Sequence, residues 1–399
     1  MKKFRIYVFI PIWGFSNGRF DSNNFFINQA LALRKAGQDP VVICLRLLSI
    51  KHLKSFQLCQ LESNYKIDDM PVYIYNLYVP FPVFFNSIRD QYISFFYHYI
   101  LQRHKKIDEQ RLKTYSPIIH AHVSHECAYY CLNPAKKENI PLIATEHYSG
   151  LLTGAASKND YKRAKATIEQ SNKFIFVGQN FKKRICHMLD IQKEVLVIPN
   201  MINNQRFNIN LANKKDRFRF LTAGTLKKNK SMDLVIRAFH NEFEKDENVE
   251  LLIAGEGIDR TRLEKLVSEF NEDHRITFFG EYTKEEACQI FSEADAFALT
   301  SQFETFGIVY VEAMFCGLPC IGTKGQGADD IITDKNGFLV DYGNLQQLQT
   351  AMRHIYLNIN SYDKETIRNE AIKRFSEETI SEQLLEIYHQ ETTGGNHNV

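Results

Sequence analysis

The sequence has no apolar run of the length that a membrane-spanning helix needs. Its first apolar segment, Phe4–Ile10, meets Pro11 and is not followed by a small-residue cleavage site, so we expect no secretory signal. The formal net charge is only +2 over 399 residues, which gives no electrostatic reason to expect a nucleic-acid partner. We therefore expect a cytoplasmic protein that binds no nucleic acid.

Cysteine pairs with the spacing of zinc or redox sites are missing as well. The eight cysteines form no Cys-x-x-Cys motif. Scattered cysteines in a chain without an export signal are usually small buried apolar residues, so we assign them no function. The fractions of hydrophobic residues, 44%, and charged residues, 24%, are those of an ordinary globular protein.

The sequence does contain a regular alternation of short β-branched runs and amphipathic segments. Apolar runs separated by helical patterns are typical of buried parallel sheets covered by helices on both faces. The pattern restarts after a polar, Asn-rich stretch at 199–213. We therefore predict two doubly wound, Rossmann-like α/β domains, 1–205 and 206–375. Residues 376–399 are predicted to form a helix that returns to the first domain, followed by a disordered tail.

The predicted strands fall into two series. The first comprises 5–10, 41–45, 117–121, 142–145, 174–177 and 195–198. The second comprises 219–223, 250–254, 276–279, 296–300 and 320–322. Ligands of such folds bind at the carboxyl ends of the strands, so the loops after these runs are where we expect a site.

The most informative loop lies in Ser301–Pro319, where a helix is predicted to begin near Gly307 and end at Gly317-Leu-Pro319. Main-chain amides at such a helix start are a ready phosphate site. Glu304 precedes the helix and Glu312 lies inside it. Glu312 could bind a ribose diol and Glu304 a sugar. Alternatively, Glu304 caps the helix and Glu312 is a solvated helix residue.

A second loop, Gly224–Ser231, carries Lys227, Lys228 and Lys230 between a strand and a helix. Three lysines beside a helix N-terminus suit a diphosphate. The alternative is a charged, solvated loop. Gly255-Glu-Gly257 also follows a strand, but it lacks the third glycine of the dinucleotide fingerprint and is weak evidence.

In order along the chain, these segments resemble the retaining glycosyltransferases of family four, which have the GT-B fold: two Rossmann-like domains facing an interdomain cleft. Ser301–Pro319 resembles the Glu-x7-Glu signature of that family. Shorter motifs follow the family's order, and it is the ordered series that carries the resemblance. They are Gly18-Arg-Phe20, Gln29-Ala30, Gly37, Ile119-His120-Ala-His122, Thr145-Glu-His147, Ile198-Pro-Asn200, Gly224 to Lys230, Gly255-Glu-Gly257, Gly280 and Asn336–Val340.

The resemblance implies transfer of a sugar, with retention, from a UDP- or GDP-type nucleotide sugar. The acceptor would be a glycan or a lipid-linked molecule in cell-surface polysaccharide synthesis. The implied catalytic residues are Glu304, His147 and Lys230. The implied donor-binding residues are Gly18, Gly224, Thr225, Lys228, Lys230, Gly255, Phe306, Gly307, Ile308 and Glu312. Gly14 and His122 would lie on the acceptor side, although a lone histidine such as His122 can equally be a core or loop residue.

The chain is expected to work without a metal, because it contains no Asp-x-Asp triplet. No cofactor is expected either, since the nucleotide sugar is a substrate. No carboxylate can be assigned as a covalent nucleophile. We therefore expect the acceptor to attack the sugar on the same face from which the leaving group departs. Three positions depart from the family. Thr225 stands where Arg is usual, Ser231 where Gly is usual, and Gln326 separates Gly325 from Gly327.

Two other functions stay open at this point. One is a nucleotide-sugar epimerase on a similar scaffold, and the other is a non-catalytic member of a glycan assembly complex, which Thr225 makes plausible.

The stretch Tyr73–Tyr99 is unusually aromatic and is followed by a basic cluster, Arg103 to Lys106. It could form a peripheral contact with the inner face of a membrane, or a core helix of the first domain.

Overall fold

A computed structural model describes residues 2–13, 15–16, 19–20, 24–52, 57–81, 86–209, 217–272 and 274–393. Gly14, Gly18 and the tail after 393 lie outside the described residues. The chain divides into two compact units. Unit 1 comprises 1–177, 182–201 and 380–399, and unit 2 comprises 178–181 and 202–379. The main limits thus fall at 201 and 379, against predicted limits of 205 and 375.

The strands of unit 1 form an eight-stranded sheet in the order β10-β9-β8-β7-β1-β4-β6-β5, together with a separate hairpin of β2 and β3. All neighbours in the large sheet are parallel except β5, which runs antiparallel to β6 at the edge. The strands are β1 Phe4–Ile10, β2 Phe15–Ser16, β3 Arg19–Phe20, β4 Asp39–Ser49, β5 Cys59–Ile67, β6 Met70–Val79, β7 Ser116–His122, β8 Leu142–Glu146, β9 Lys173–Phe176 and β10 Leu196–Val197.

Unit 2 contains a six-stranded, wholly parallel sheet in the order β13-β12-β11-β14-β15-β16. Its strands are β11 Phe218–Ala223, β12 Val249–Ala254, β13 Ile276–Gly280, β14 Ala296–Ala298, β15 Cys320–Thr323 and β16 Gly337–Val340. Strand order reverses between β11 and β14, and the loops after these two strands carry Lys230 and Glu304. This reversal is the point where doubly wound sheets bind their ligands.

Helices follow the strands in both units. Several begin at the side-chain caps that their sequences predict, such as the reciprocal pair of Thr283 and Glu286 at the start of α9. The helices are α1 Phe25–Lys35, α2 Asn86–Ile107, α3 Cys127–Glu138, α4 Gly150–Thr153, α5 Lys158–Gln170, α6 Gln179–Leu189, α7 Met232–Phe243, α8 Arg260–Glu269, α9 Lys284–Ser292, α10 Ile308–Phe315, α11 Leu345–Leu357, α12 Lys364–Phe375 and α13 Glu377–Thr393.

The core of unit 1 combines residues from both ends of the chain. Strand β1 is buried along its whole length, as expected of a central parallel strand. The cluster on one face of the sheet includes Phe4, Val8 and Phe26, and it also takes in Ile380 and Tyr388 from α13. Helix α13 is therefore part of the folded core of unit 1.

The prediction of two doubly wound α/β domains is confirmed. The sequence interpretation missed the antiparallel pair β5–β6 and the short strand β16. The aromatic stretch at 73–99 is neither one helix nor one strand: its first part belongs to β6 and its second part to α2. Among the described residues, no helix has the length and apolarity to cross a bilayer.

Candidate functional site

An ion pair between Lys230 and Glu304 joins the two loops at the strand-order reversal of unit 2. Lys230 ends a short 3-10 turn, Lys228–Lys230, that precedes α7. The main-chain N–H of Gln302 donates to the carbonyl of Asn229 across 2.8 Å, which ties the loops together. Nζ of Lys230 then lies 2.5 Å from Oε2 of Glu304, and both side chains are partly buried. The structure thus brings together two of the residues predicted to be catalytic.

Gln326 holds the Glu304 loop in place. The main-chain N–H of Glu304 donates to Oε1 of Gln326 at 3.3 Å, and the Gly327 N–H donates to the Glu304 carbonyl at 3.0 Å. A Cβ atom on Gly327 would lie 2.3 Å from the carbonyl oxygen of Phe306, so the loop requires glycine there. The departure at Gln326 therefore supplies a contact that sequence reasoning did not foresee.

Helix α10 begins directly after this loop, as predicted. Gly307 has a φ of 97°, a conformation that favours glycine, and a Cβ there would lie 2.6 Å from the Tyr310 ring. In the described part of the chain, no main-chain carbonyl accepts from the N–H of Gly307 or Ile308. The Phe306 side chain is buried against Phe375, with ring centroids 5.7 Å apart, so only its main chain could contact a ligand. Such a helix start is suited to an anion.

Glu312 lies on α10 apart from the ion pair. Burial raises the pKa of its carboxyl group to about 7, although Lys284 lowers it. Its neighbour Tyr282 follows β13, and the pKa of Tyr282 is raised by burial and by the Glu312 charge. No side chain that the structure describes forms a hydrogen bond or ion pair with the Glu312 carboxylate. Tyr282 and Lys284 were missed, although both follow the carboxyl end of a strand.

The Gly-x-Gly motif allows two loops of unit 2 to pack back to back. A Cβ on Gly255 would lie 2.0 Å from the Gly224 carbonyl oxygen, and one on Gly257 would lie 2.2 Å from the Leu226 carbonyl oxygen. Gly255 is thus required for close packing, whatever it binds. Thr225 and Lys228 are exposed on the same edge. Their predicted contacts with a donor stay predictions.

In unit 1 the predicted histidines form a buried cluster at the carboxyl ends of β7 and β8. Nδ1 of His120 lies 2.6 Å from the Tyr388 hydroxyl, and its Nε2 lies 2.8 Å from Oγ1 of Thr145. The His120 ring stacks on His122 at 4.6 Å with an interplanar angle of 17°. His120 is therefore a structural residue that links the sheet to α13.

His122 and His147 contact each other directly. Nδ1 of His122 lies 3.0 Å from Nε2 of His147, so one ring donates and the other accepts. Burial lowers the pKa of both, that of His147 to about 3, and both rings are therefore neutral. The His147 ring also packs on Phe25, at 4.7 Å between centroids. Since both nitrogens of His147 are shielded from solvent, its predicted contact with a sugar stays a prediction.

Glu146, between Thr145 and His147, is fully buried, and its carboxylate connects the loops that follow β7 and β8. Its Oε1 accepts the main-chain N–H groups of His147 and Tyr148 at 2.8 and 2.7 Å. Its Oε2 accepts from the main-chain N–H and the hydroxyl of Ser124. Val123, the residue directly before Ser124, has a φ of 66°, which is rare for a β-branched residue. Glu146 therefore offsets the strain of the loop that follows His122.

Two family models match consecutive parts of the chain. The model described as "Glycosyltransferase Family 4" matches residues 22–206, and the one described as "Glycosyl transferases group 1" matches residues 202–374. The chain belongs to glycosyltransferase family four. Both descriptions are of glycosyltransferases, and neither is of an epimerase.

Characterised relatives agree with the family assignment. The N-acetyl-alpha-D-glucosaminyl L-malate synthase of Bacillus anthracis is 23% identical over 77% of this chain and 84% of its own length. Across the curated relatives, the aligned share of the relative's own length ranges from 49% to 84%.

Two solved structures are similar over nearly their whole length. The sucrose-phosphate synthase of Thermosynechococcus elongatus has a TM-score of 0.72 at 18% identity, with 98% of this chain and 100% of that chain covered. Anabaena HepE, in complex with UDP-glucose, has a TM-score of 0.69 at 17% identity, with 97% and 99% covered. The family-four glycosyltransferase described here therefore has the GT-B fold.

Proposed function

We propose that the enzyme transfers a sugar, with retention at the anomeric carbon, from a UDP- or GDP-type nucleotide sugar to a glycan or lipid-linked acceptor in cell-surface polysaccharide synthesis. The observation that carries the proposal is the Lys230–Glu304 ion pair, 2.5 Å long, three residues before the unpaired amides at the start of α10. A fixed cation and a helix N-terminus at one strand-order reversal suit a diphosphate.

Departure of the nucleoside diphosphate is the step that these groups would assist. Negative charge grows on its β-phosphate as the sugar–oxygen bond breaks, so preorganised donors there lower the barrier most. Lys230 and the amides of Phe306, Gly307 and Ile308 would supply those donors. Glu304, which positions Lys230, would also contact the sugar, and Glu312 would accept hydrogen bonds from ribose hydroxyls. The acceptor would attack on the face that the diphosphate leaves.

The donor is proposed to be a nucleotide hexose. Anabaena HepE was solved with UDP-glucose, and the B. anthracis relative is named for an N-acetylglucosaminyl product. These names support a UDP-sugar more than a GDP-sugar. Thr225, Lys228 and Gly224 would border the diphosphate, and Gly18, which lies outside the described residues, stays a predicted donor-binding residue. His122 and Gly14 would lie on the acceptor side.

Metal independence is part of the proposal, because Lys230 and helix amides can take the place of a divalent cation on the leaving group. Activity should then survive an excess of EDTA. A collapse that added magnesium or manganese reverses would contradict this part.

A thermal-shift screen of UDP- and GDP-sugars tests the donor assignment. A ligand present at a hundred times its Kd stabilises the folded state by about 2.7 kcal/mol, which is readily detected as a rise in Tm. The matched control is Glu312→Gln, which should lose most of the shift. NMR of the anomeric proton in the first product then tests retention. The absence of a shift with every nucleotide sugar would overturn the proposal.

A further inference from the structure

The outer face of α2 is apolar and exposed, although its inner face already packs on the core. On the inner face Ile93, Tyr97 and Ile100 are buried. On the outer face Ile88, Phe95 and Tyr99 are 51%, 61% and 46% exposed. A helix that is apolar on both faces is normally covered on both. The outer face of α2 therefore calls for a partner.

The exposed aromatic residues form one continuous surface. Rings contact one another in a chain in which Tyr92 meets Phe96 at 5.0 Å, and Phe96 meets Phe95 at 5.3 Å and Tyr99 at 6.3 Å between centroids. Leu61, another exposed residue, pairs across β5 and β6 with Tyr75, which is itself buried. The continuous ring contacts therefore lie along α2.

Along α2, all of whose main chain is among the described residues, the same face carries positive charge and no negative charge. At 100° per residue, Ile88, Phe95, Tyr99, Arg103 and Lys106 fall within an arc of about 80°. Arg103 and Lys106 are exposed, and neither forms an ion pair with a carboxylate in the described part of the chain. Asp90 is the single acidic residue of α2. It points away from this face and binds Arg163 through two contacts of 2.7 and 3.0 Å.

We propose that this surface, formed by Ile88, Phe95, Tyr99, Arg103 and Lys106, docks the enzyme onto an anionic lipid bilayer. Aromatic side chains with adjacent cations are the composition of helices that lie in the membrane interface. Uncompensated lysine and arginine match the negative surface of such a bilayer. A second copy of the chain would instead bring the same unpaired cations to its interface. The stretch of α2 from Ile88 to Lys106 would give a contact about 27 Å long, parallel to the membrane.

Flotation with lipid vesicles tests this docking surface in the absence of donor and acceptor. The probe is vesicles of phosphatidylcholine with about a third phosphatidylglycerol, against pure phosphatidylcholine, since each surface cation gains its attraction from anionic lipid. The wild-type chain should float only with the anionic vesicles. Phe95→Gln with Tyr99→Gln should reduce vesicle affinity at least about tenfold. Arg103→Gln with Lys106→Gln should reduce it about thirtyfold, and high salt should act in the same direction.

Matched controls separate docking from general effects. Phe279→Gln with Leu357→Gln removes two exposed apolar residues of unit 2, and Lys137→Gln with Lys158→Gln removes two exposed cations of unit 1 outside α2. Both controls should float like the wild-type chain. If the wild type does not float, or the α2 variants float as well as the controls, the docking surface is wrong. The proposal is also wrong if those variants convert a dimer into a monomer without changing flotation. Thermal shift with nucleotide sugars, run on the same variants, reports separately on the donor site.

Discussion

Nζ of Lys230 lies 2.5 Å from Oε2 of Glu304, although 74 residues separate the two in the chain. The carboxylate fixes the cation at the strand-order reversal of unit 2. A fixed cation does not have to be ordered when an anion binds. For this reason Lys230 can act on a charge that develops during the reaction as well as on one already present.

Lys230→Ala should lower turnover by roughly 10²–10³, the loss seen when one preorganised donor to a developing oxyanion is removed. The effect on donor affinity should be smaller, because the β-phosphate gains charge towards the transition state. Steady-state kinetics with the true donor gives both quantities. Lys265→Ala, which removes an exposed cation on helix α8 of the same unit, is the control and should change turnover little. Near-normal turnover in Lys230→Ala would place the diphosphate elsewhere.

Donor affinity should depend on pH through Glu312. Its carboxyl pKa is raised to about 7, and the ionised form is the one that accepts hydrogen bonds from ribose hydroxyls. Affinity should therefore be constant above pH 7 and fall as the pH drops below it, while the nucleotide sugar keeps its charge. Calorimetry across this range measures the change.

Glu312→Gln should remove that pH dependence and weaken binding by roughly 1–3 kcal/mol. Glu285→Gln, an exposed carboxylate on the neighbouring helix α9, should keep it. A Glu312→Gln variant with wild-type affinity and pH profile would show that the ribose binds another residue.

Ser231, which replaces the usual glycine, adopts the left-handed conformation with φ of 50° and ψ of 40°. A residue with a Cβ atom is destabilised by roughly 1–2 kcal/mol in this conformation. The Ser231 hydroxyl compensates little, since its contacts with Lys228 and Tyr342 are 3.3 Å long. Ser231→Gly should therefore raise the free energy of unfolding by roughly 0.5–1 kcal/mol. Ser268→Gly, the same change inside helix α8, should lower it by a similar amount. If urea denaturation shows the same effect for Ser231→Gly and Ser268→Gly, the backbone at Ser231 is not strained.

Acid should destabilise the protein through its buried histidines. Burial lowers the pKa of His120 and His147 from 6.5 to about 3, and that of His104 to about 4. The unfolded chain thus takes up protons at a pH where the folded chain does not. The free energy of unfolding is therefore highest above about pH 6.5. As the pH drops below that value, it decreases by up to about 1.4 kcal/mol per pH unit for each histidine.

Urea unfolding between pH 7 and pH 5 measures this slope. His120→Gln should reduce it, whereas His274→Gln, an exposed histidine, should not. An unchanged slope in His120→Gln would mean that other groups control acid stability.

The fold was predictable where strands are buried on both faces. Segments such as Phe4–Ile10 and Val249–Ala254 are apolar enough that their positions follow from composition. Helix α9 likewise begins at a local signal, the capping box formed by Thr283 and Glu286. Strand β5 was missed because Cys59–Ile67 is a half-exposed edge strand whose pairing depends on β6. Composition alone does not distinguish such a strand from a polar loop.

The candidate site was predictable only in part, and for a related reason. Glu304, Glu312 and Lys230 stand in motifs whose chemistry can be inferred one loop at a time. Gln326 could not be found in this way, because its contact with Glu304 depends on β15 lying beside β14 in the sheet. The burial of His147 was also unpredictable, since His122 and Phe25 reach it from separate elements.

Unit 1 obtains part of its core, Ile380 and Tyr388, from the last helix of the chain. During synthesis the first two hundred residues therefore leave the ribosome without a complete hydrophobic core. Unit 2 is nearly continuous from 202 to 379, so every strand of its sheet has been made before α13 emerges. Unit 2 should thus fold first, against the usual N-to-C order of domains. Until α13 is made, the face of the nascent sheet that it later covers stays exposed, and premature termination before residue 380 would leave a chain prone to aggregation and degradation.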